Sequence, residues 1–330
     1  MTDKSLNISL PQGVRDMLPE EAEKARYVEE TIVSVLEKNG FRRVITPLLE
    51  YIDVLSLGLG AELQDKIFKF VDPVSGKIIA IRPDITPQVA RMVSTRMRDY
   101  PLPIKLYYNE NILRCEEPRG GLPSELLQIG AEYIGEDSPD ADAEVIATAV
   151  EAIKKVGVRD FKIDIGHIGF FKGILEDIKA SKDIKKKIKD AVLIKDNSSL
   201  QEVLSSVREV RGDNAIKILS DLPSLFGDKG VIDKLKSQVK NETAIKALDD
   251  LASIINMLEK KKLKNYITID LGEVRGFDYY TGVIFEGFTK GFGRAILKGG
   301  RYNNLLEKYG YPCPATGFAF NTENVIAAVK

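Results

Sequence analysis

Three short segments of the sequence place charged and aromatic side chains inside patterns that otherwise predict apolar strands. They are residues 81–86, residues 113–132 and residues 272–282. Burying a charged or polar group without a partner costs free energy, so residues of this kind in strand patterns indicate a site rather than simple packing. We therefore expect the chemistry of the protein to lie where these three segments meet.

The segment at residues 272–282, GEVRGFDYYTG, is the densest of the three. Arg275 offers a two-pronged donor for a carboxylate, and Tyr279 and Tyr280 offer flat faces and hydroxyl groups for a small aromatic ligand. A further tyrosine, Tyr302, follows a later predicted strand. Together these residues predict a pocket for a small zwitterion with a flat polar side chain, and free histidine has that chemistry.

The other two segments supply polar groups to the same predicted sheet. Asp84 and Thr86 follow a short strand, although both could instead cap the helix that comes next. Gln128 and Glu132 are four residues apart in a predicted strand, so their side chains face the same side of the sheet. The sequence leaves open whether the first pair caps a helix or binds a ligand.

Several classes of function are poorly supported. The sequence contains none of the motifs GxxxxGK[ST], HExxH and GxSxG. Its two cysteines lie far apart and His167 is its only histidine, so we expect no metal centre and no Ser/His/Asp triad. With 48 basic and 49 acidic residues, the chain has no overall positive charge for nucleic acid. Without a long apolar run or a secretory signal, a cytoplasmic protein with no membrane contact is predicted.

Hydrophobic periodicity predicts an α+β fold in which helices flank a mostly antiparallel sheet. Helices are predicted from Pro19 to about Gly40, at residues 86–97 and 138–157, and from residue 322. Strands are predicted at residues 43–46, 66–71, 77–82, 104–108, 111–115, 126–134, 161–165, 266–271, 283–288, 294–298 and 317–320. A polar loop rich in glycine and proline at residues 117–124 is the predicted mobile element.

A shift in composition divides the chain. Residues 171–265 are rich in lysine and helical in pattern, and strands resume after them. We therefore predict one core built from residues 1–170 and 266–330, interrupted by a helical insertion at residues 171–265. No anticodon-binding domain is expected, because the chain stops just after the last predicted helix.

At these residues the chain resembles the catalytic core of histidyl-tRNA synthetase and, most closely, the paralogous regulatory subunits of ATP phosphoribosyltransferase. The likeness rests on PQGVRDMLP at residues 11–19, on GFRRVITP at residues 40–47, and on the three polar segments. RGFDYY at residues 275–280 is the most specific of these motifs. The resemblance implies a class II aminoacyl-tRNA synthetase-like core, with residues 40–47 at a dimer interface.

Carried over residue by residue, the resemblance implies a histidine-binding site. Its residues are Asp84, Thr86, Arg114, Gln128, Glu132, Arg275, Tyr279, Tyr280 and Tyr302. Asp84, Thr86 and Gln128 would contact the α-amino group of histidine. Glu132 and Tyr280 would contact its imidazole ring.

In the same family pattern, Arg275 would bind the carboxylate of histidine, and Tyr279 and Tyr302 would complete the wall. Asp84 stands where synthetases usually carry glutamate, so its reach is one methylene shorter. Arg114 is the arginine that remains for phosphates.

Two departures separate this chain from the synthetases. Where they carry Gly-Arg-Tyr-Arg-x-Phe-His-Gln, residues 121–128 are GLPSELLQ, and Asn324 stands where motif 3 ends in arginine. Each lost charge-assisted contact to a polyphosphate weakens binding by about 1.5–3 kcal/mol. We therefore expect no useful ATP binding, no catalytic residues and no cofactor.

The resemblance thus predicts a non-catalytic regulatory subunit of ATP phosphoribosyltransferase in histidine biosynthesis. It would bind L-histidine as an effector and contact the short-form catalytic subunit, as a homodimer within a hetero-oligomer. No tRNA partner is expected. The alternatives are a histidyl-tRNA synthetase-like adenylate-forming ligase and a scaffold whose pocket is vestigial.

Overall fold

The computed structural model describes residues 9–115, 124–207 and 214–329. Apart from Ser124, the predicted mobile loop at residues 117–124 lies outside these ranges. Helices in the described part are α1 (Pro19–Lys38), α2 (Ile52–Gly58), α3 (Ala61–Gln64), α4 (Thr86–Arg96), α5 (Pro139–Val156), α6 (Ile168–Glu176), α7 (Lys182–Leu193), α8 (Asn197–Ser205), α9 (Ala215–Asp221), α10 (Gly230–Lys236), α11 (Glu242–Lys260) and α12 (Thr322–Ala328).

The strands of the same described ranges complete the element order. They are β1 (Arg42–Arg43), β2 (Leu49–Tyr51), β3 (Lys69–Val71), β4 (Ile78–Ile81), β5 (Ile104–Leu113), β6 (Glu125–Ile134), β7 (Phe161–His167), β8 (Phe226–Gly227), β9 (Ile267–Asp270), β10 (Val283–Thr289), β11 (Phe292–Arg301) and β12 (Ala315–Asn321). Short 3-10 turns lie at Leu222–Ser224, Lys264–Tyr266 and Leu306–Tyr309.

Across the described residues, nine strands form one large sheet in the order β1-β5-β6-β12-β11-β10-β7-β9-β8. Its neighbours are antiparallel except for the β1/β5 and β7/β9 pairs, which are parallel. Helices pack against this sheet through a continuous apolar cluster. The predicted α+β fold with a mostly antiparallel sheet is confirmed.

Strands from the two sides of the helical block are neighbours in the large sheet. β7 pairs along its whole length with β10, and β6 pairs with β12. The helical block begins with α6 at Ile168, three residues before the predicted start, and it contributes the two-residue strand β8 to the sheet edge. The division of the chain into a core and an insertion remains a prediction.

Several predicted strands differ from the structure in length, and β5 and β1 are the clearest cases. Residues 104–108 and 111–115 were predicted as separate strands, but β5 is continuous because every residue from Ile104 to Leu113 pairs with β6. β1 is shorter than predicted, because only Arg42 and Arg43 align with β5. Pairing with a long neighbour, which local sequence does not encode, decided both lengths.

A second, three-stranded sheet has the order β2-β4-β3. The predicted hairpin between β3 and β4 is confirmed, and its turn is held by Asp72, whose carboxylate accepts hydrogen bonds from the backbone amides of Val74 and Ser75.

Within the described ranges, none of the helices has the length and apolar content required to cross a bilayer.

Candidate functional site

A cavity of about 610 Å³ lies over the large sheet, between the start of α4, strand β6, strands β11 and β12, and residues 273–280. Every residue predicted for the histidine pocket lines it. These residues are Asp84, Thr86, Arg114, Gln128, Glu132, Arg275, Tyr279, Tyr280 and Tyr302. Strand pairing and helix packing thus bring together three segments that are widely separated in the sequence.

Glu132 lies at the bottom of the cavity, where 1% of the residue is exposed. The hydroxyl of Thr86 donates to its Oε1 atom at 2.7 Å, that of Tyr108 donates at 3.4 Å, and that of Tyr302 donates to Oε2. Burial raises the pKa of Glu132 to about 8, against the opposing effect of the Tyr302 and Thr86 hydrogen bonds. The carboxyl group is therefore largely neutral at pH 7 and can share a proton with a ring nitrogen.

Asp84 lies at the start of α4 and bonds both to the backbone and to a neighbour in the cavity. Its Oδ1 atom accepts from the Ile85 amide at 3.0 Å and from the Gln128 side-chain amide at 3.0 Å. Burial raises the pKa of Asp84, and the nearby Arg114 charge opposes that rise. The side chain of Thr86 bonds to Glu132 and does not cap α4, whose N-cap residue, Ile85, has no side-chain cap.

The aromatic wall is formed by three tyrosine rings. Tyr279 meets Tyr280 edge-to-face at 5.0 Å between ring centroids, and Tyr279 lies 5.7 Å from Tyr302. Gly276, with φ +64°, closes the turn that presents them, and a Cβ there would lie 2.7 Å from the Tyr280 ring. Only glycine suits this combination of backbone angle and close approach.

Arg275 lines the cavity but is already engaged by acidic neighbours. Its Nη1 atom donates to Glu286 Oε2 at 2.7 Å and lies 3.7 Å from Glu273. Lys298 also pairs with Glu286, at 2.9 Å. A ligand carboxylate at Arg275 therefore has to share or displace the Glu286 contact.

Several cavity residues were missed by the sequence analysis. Glu286 interrupts the apolar strand β10, so the cost of burying an unpartnered charge could have identified it. Tyr108, which contacts Glu132 without being part of the cavity lining, gave no such signal, because tyrosine is ordinary in a strand. Lys66 and Arg294 also line the cavity, on loops or strand ends where exposed charges are common.

Two residues singled out in the sequence have structural roles outside the cavity lining. Arg82 is buried and donates to the carbonyls of Thr46 and Asn111, which ties the segment between β1 and β2 to β5. His167 Nδ1 accepts from the Gly169 amide, and burial lowers the pKa of His167 to about 3. This histidine therefore stays neutral, and its side chain caps α6.

Asn324, which stands at the departure from motif 3, lines the cavity, and so does Arg114, the motif arginine that is retained. Arg114 Nε donates to the Pro83 carbonyl at 2.8 Å. The Asn324 side-chain amide donates to the Ala295 carbonyl at 2.8 Å, which fastens α12 to β11. Among the residues that the structure covers, no cluster of His, Cys, Asp and Glu could hold a metal ion.

The sheet order, the flanking helices and the cavity over the sheet define the catalytic-core fold of class II aminoacyl-tRNA synthetases. The family described as histidyl-tRNA synthetase matches residues 13–325. The chain belongs to this family, and within it to the regulatory subunits of ATP phosphoribosyltransferase.

Named relatives and solved structures support that placement. The ATP phosphoribosyltransferase regulatory subunit of Geobacter sulfurreducens is 46% identical over 97% of this chain and 73% of its own length. That of Acetivibrio thermocellus is 40% identical over 98% of this chain and 76% of its own length. The predicted resemblance is confirmed.

Among solved structures, an ATP phosphoribosyltransferase regulatory subunit/histidyl-tRNA synthetase from Bacillus halodurans superimposes with a TM-score of 0.92 at 30% identity, covering 99% of this chain and 84% of that one. A histidyl-tRNA synthetase from Nostoc superimposes with a TM-score of 0.81 at 23% identity, and the match covers 98% of this chain and 75% of the synthetase chain. At this identity the likeness shows the shared fold alone.

Proposed function

We propose that this chain is a non-catalytic subunit that binds L-histidine in the cavity and conveys feedback to a short-form catalytic ATP phosphoribosyltransferase. The proposal rests on one observation: the residues that line a single cavity include a group suited to each part of the histidine zwitterion. The names of the relatives supply the enzyme that it regulates. The proposed location is the cytoplasm.

The polar groups of the cavity match the ligand in chemistry. Asp84 and Gln128 form a pair that can accept from an ammonium group, since carboxyl and amide oxygens both accept hydrogen bonds. Glu132 can exchange hydrogen bonds with an imidazole nitrogen, and Tyr280 offers a ring and a hydroxyl group beside it. Arg275 supplies the cation for the carboxylate.

The positions that depart from the ATP-binding motifs of the synthetases favour binding of histidine without its activation. Asn324 is an uncharged amide that already bonds to the Ala295 carbonyl, where the synthetases carry an arginine. Residues 121–128 lack the two arginines that follow the motif 2 arginine in synthetases. Residues 121–123 lie outside the described ranges. Arg114 is the motif arginine that remains, so we propose neither adenylate formation nor a tRNA partner.

A homodimer within a hetero-oligomer completes the proposal. The three-stranded sheet carries an apolar face on which Leu49, Tyr51 and Phe70 are 41%, 41% and 42% exposed. A contiguous apolar face of this kind is typical of an interface between chains. Its strand β2 follows the residues whose resemblance implies a dimer contact.

The proposed function is tested by titration calorimetry of the purified chain with L-histidine and, separately, with ATP. We expect histidine to bind, ATP not to bind, and the histidine affinity to fall at least tenfold in Arg275→Ala. Arg26→Ala, which removes the same charge from the exposed face of α1, is the matched control. Circular dichroism of both variants verifies that they fold.

The other outcomes separate the alternatives. ATP binding together with histidine-dependent pyrophosphate exchange would favour the adenylate-forming ligase. No binding of either compound, alone or with the catalytic subunit, would favour a scaffold. In the reconstituted complex, histidine should inhibit the wild-type assembly and leave the Arg275→Ala assembly several-fold less sensitive.

A further inference from the structure

Residues 275–280 lie between the candidate pocket and the helical block. All six residues line the cavity. The Phe277 ring also meets Phe171 of α6 edge-to-face, with 5.7 Å between ring centroids. The turn therefore contacts the ligand site and the helices at once.

Two lysines from the helical block hold the same Phe277 ring. Lys172 Nζ of α6 lies 4.9 Å from the ring centroid, and Lys189 Nζ of α7 lies 5.2 Å from it. Lys189 Nζ also pairs with Asp278 Oδ2 at 3.0 Å. One α7 side chain thus contacts two consecutive residues of the turn.

The turn also joins two separate hydrophobic clusters. Phe277 packs against the large cluster, which contains Phe171 of α6 and Ile188 of α7. Tyr279 and Tyr280 pack against the smaller cluster beneath the pocket. A change in the position of one side of the turn therefore has to be accommodated by both clusters.

Gly276 gives the turn a compact geometry that can transmit such a change. The amides of Tyr279 and Tyr280 both donate to the Gly276 carbonyl at 2.8 Å. These bonds hold the pocket residues and the helix-contacting residues in one small unit. Helix α7 itself reaches the cavity, where Lys189 and Leu193 form part of the lining.

We propose that Phe277 and Asp278 couple histidine binding to helix α7, acting as positioning residues between the pocket and the helical block. Ligand contacts at Arg275 and Tyr280 fix the turn, and the turn fixes Lys189 and the helix that carries it. This coupling rests on the proposed histidine binding, and it extends the effect of the bound ligand from the pocket to helix α7. By thermodynamic reciprocity, loosening the α7 contact has to weaken histidine binding.

The test is hydrogen–deuterium exchange of the full chain with and without saturating L-histidine, paired with calorimetry. In the wild-type protein we expect histidine to slow exchange in α7 (Lys182–Leu193) several-fold. Phe277→Ala and Lys189→Ala should lose that protection, and histidine affinity should fall about three- to tenfold. Lys187→Ala is the control. Lys187 is an exposed residue of α7, and within the described structure its ion pair is with Asp183 of the same helix.

A charge exchange separates coupling from general damage to the fold. Lys189→Asp combined with Asp278→Lys should restore part of the α7 protection that each single change removes. Histidine binding without any change in α7 exchange, or protection that persists in Phe277→Ala, would overturn the coupling and leave the proposed function intact. Absence of histidine binding in the wild-type protein would overturn both.

Discussion

Glu132 is the residue on which the electrostatics of the pocket depend. It is fully buried, and the hydroxyl groups of Thr86, Tyr108 and Tyr302 surround its carboxyl group. Burial penalises the charged form and raises the pKa of Glu132 to about 8. The pocket therefore keeps a neutral carboxyl group ready to donate or accept when a ligand arrives, at a cost to stability at high pH.

Replacing Glu132 by glutamine tests this assignment. Because the folded pKa of about 8 exceeds the ordinary value of 4.5, Glu132 favours folding below about pH 4.5, and that contribution is lost as the pH rises to 8. Glutamine does not titrate, so the free energy of unfolding of Glu132→Gln relative to wild type should rise by up to about 5 kcal/mol between pH 4.5 and 8.

Urea denaturation at both pH values measures that difference. Glu30→Gln, on the exposed face of α1, is the control for replacing a glutamate by glutamine. A pH-independent difference for Glu132→Gln would contradict the raised pKa.

In the proposed histidine complex, Glu286 would compete with the ligand carboxylate for Arg275. It pairs with Arg275 at 2.7 Å and with Lys298 at 2.9 Å. Removing its charge in Glu286→Gln leaves the guanidinium less compensated, so we expect histidine to bind about three- to tenfold more tightly, which corresponds to about 1 kcal/mol. Titration calorimetry of Glu286→Gln with L-histidine measures this change in affinity. Weaker binding by the variant would instead show that Glu286 orients Arg275.

At the scale of the element, strands β6 and β12 determine the shape of the pocket floor. Gly317 of β12 is the register partner of Glu132 of β6. A Cβ at Gly317 would overlap Glu132 Oε2 and would lie 2.6 Å from the Ala131 carbonyl oxygen. The close approach of the two strands therefore depends on the missing side chain.

Gly317→Ala is expected to displace Glu132 and to reduce histidine affinity at least tenfold. The same overpacking should lower the free energy of unfolding by about 1–3 kcal/mol. Gly293→Ala on β11 is the matched control for the stability change, because a Cβ there meets nothing within 4 Å. Calorimetry and thermal unfolding distinguish the two variants, and equal behaviour would contradict the close packing of β6 and β12.

At the scale of the whole molecule, the exposed apolar face of the three-stranded sheet is the feature that the single chain leaves unexplained. Tyr51 and Phe70 pair with the same β4 residue, Ile79, so the three side chains form one row. Apolar rows of this kind are usually covered by another chain. Lys77, at the end of the neighbouring hairpin turn, lies over the Tyr51 ring, with Nζ 5.0 Å from its centroid.

Phe70→Asp is expected to shift the protein from dimer to monomer, because it places a charge in the centre of the proposed interface. Sedimentation velocity at micromolar concentration measures the change. Val74→Asp, at the tip of the same hairpin and 93% exposed, should remain dimeric. A monomeric wild-type protein would contradict the proposed homodimer.

Local patterns in the sequence predicted the fold class, most element positions and the three segments that line the cavity, whereas the roles of single residues in histidine binding came from the family resemblance. Charged groups in strand patterns are costly, so they revealed residues 84–86, 128–132 and 275–280. Strand parity placed Gln128 and Glu132 on one face, and Asp72 to Gly76 formed the expected turn.

Only the tertiary structure decided how these segments meet. Pairing of β6 with β12, and of β7 with β10, joins residues far apart in sequence, and no local period encodes such contacts. The same pairing brings Glu286 to Arg275 and encloses Glu132, so it also decided the charge balance of the pocket. A pKa depends on burial and on neighbouring charges, and both of these exist only once the chain has folded.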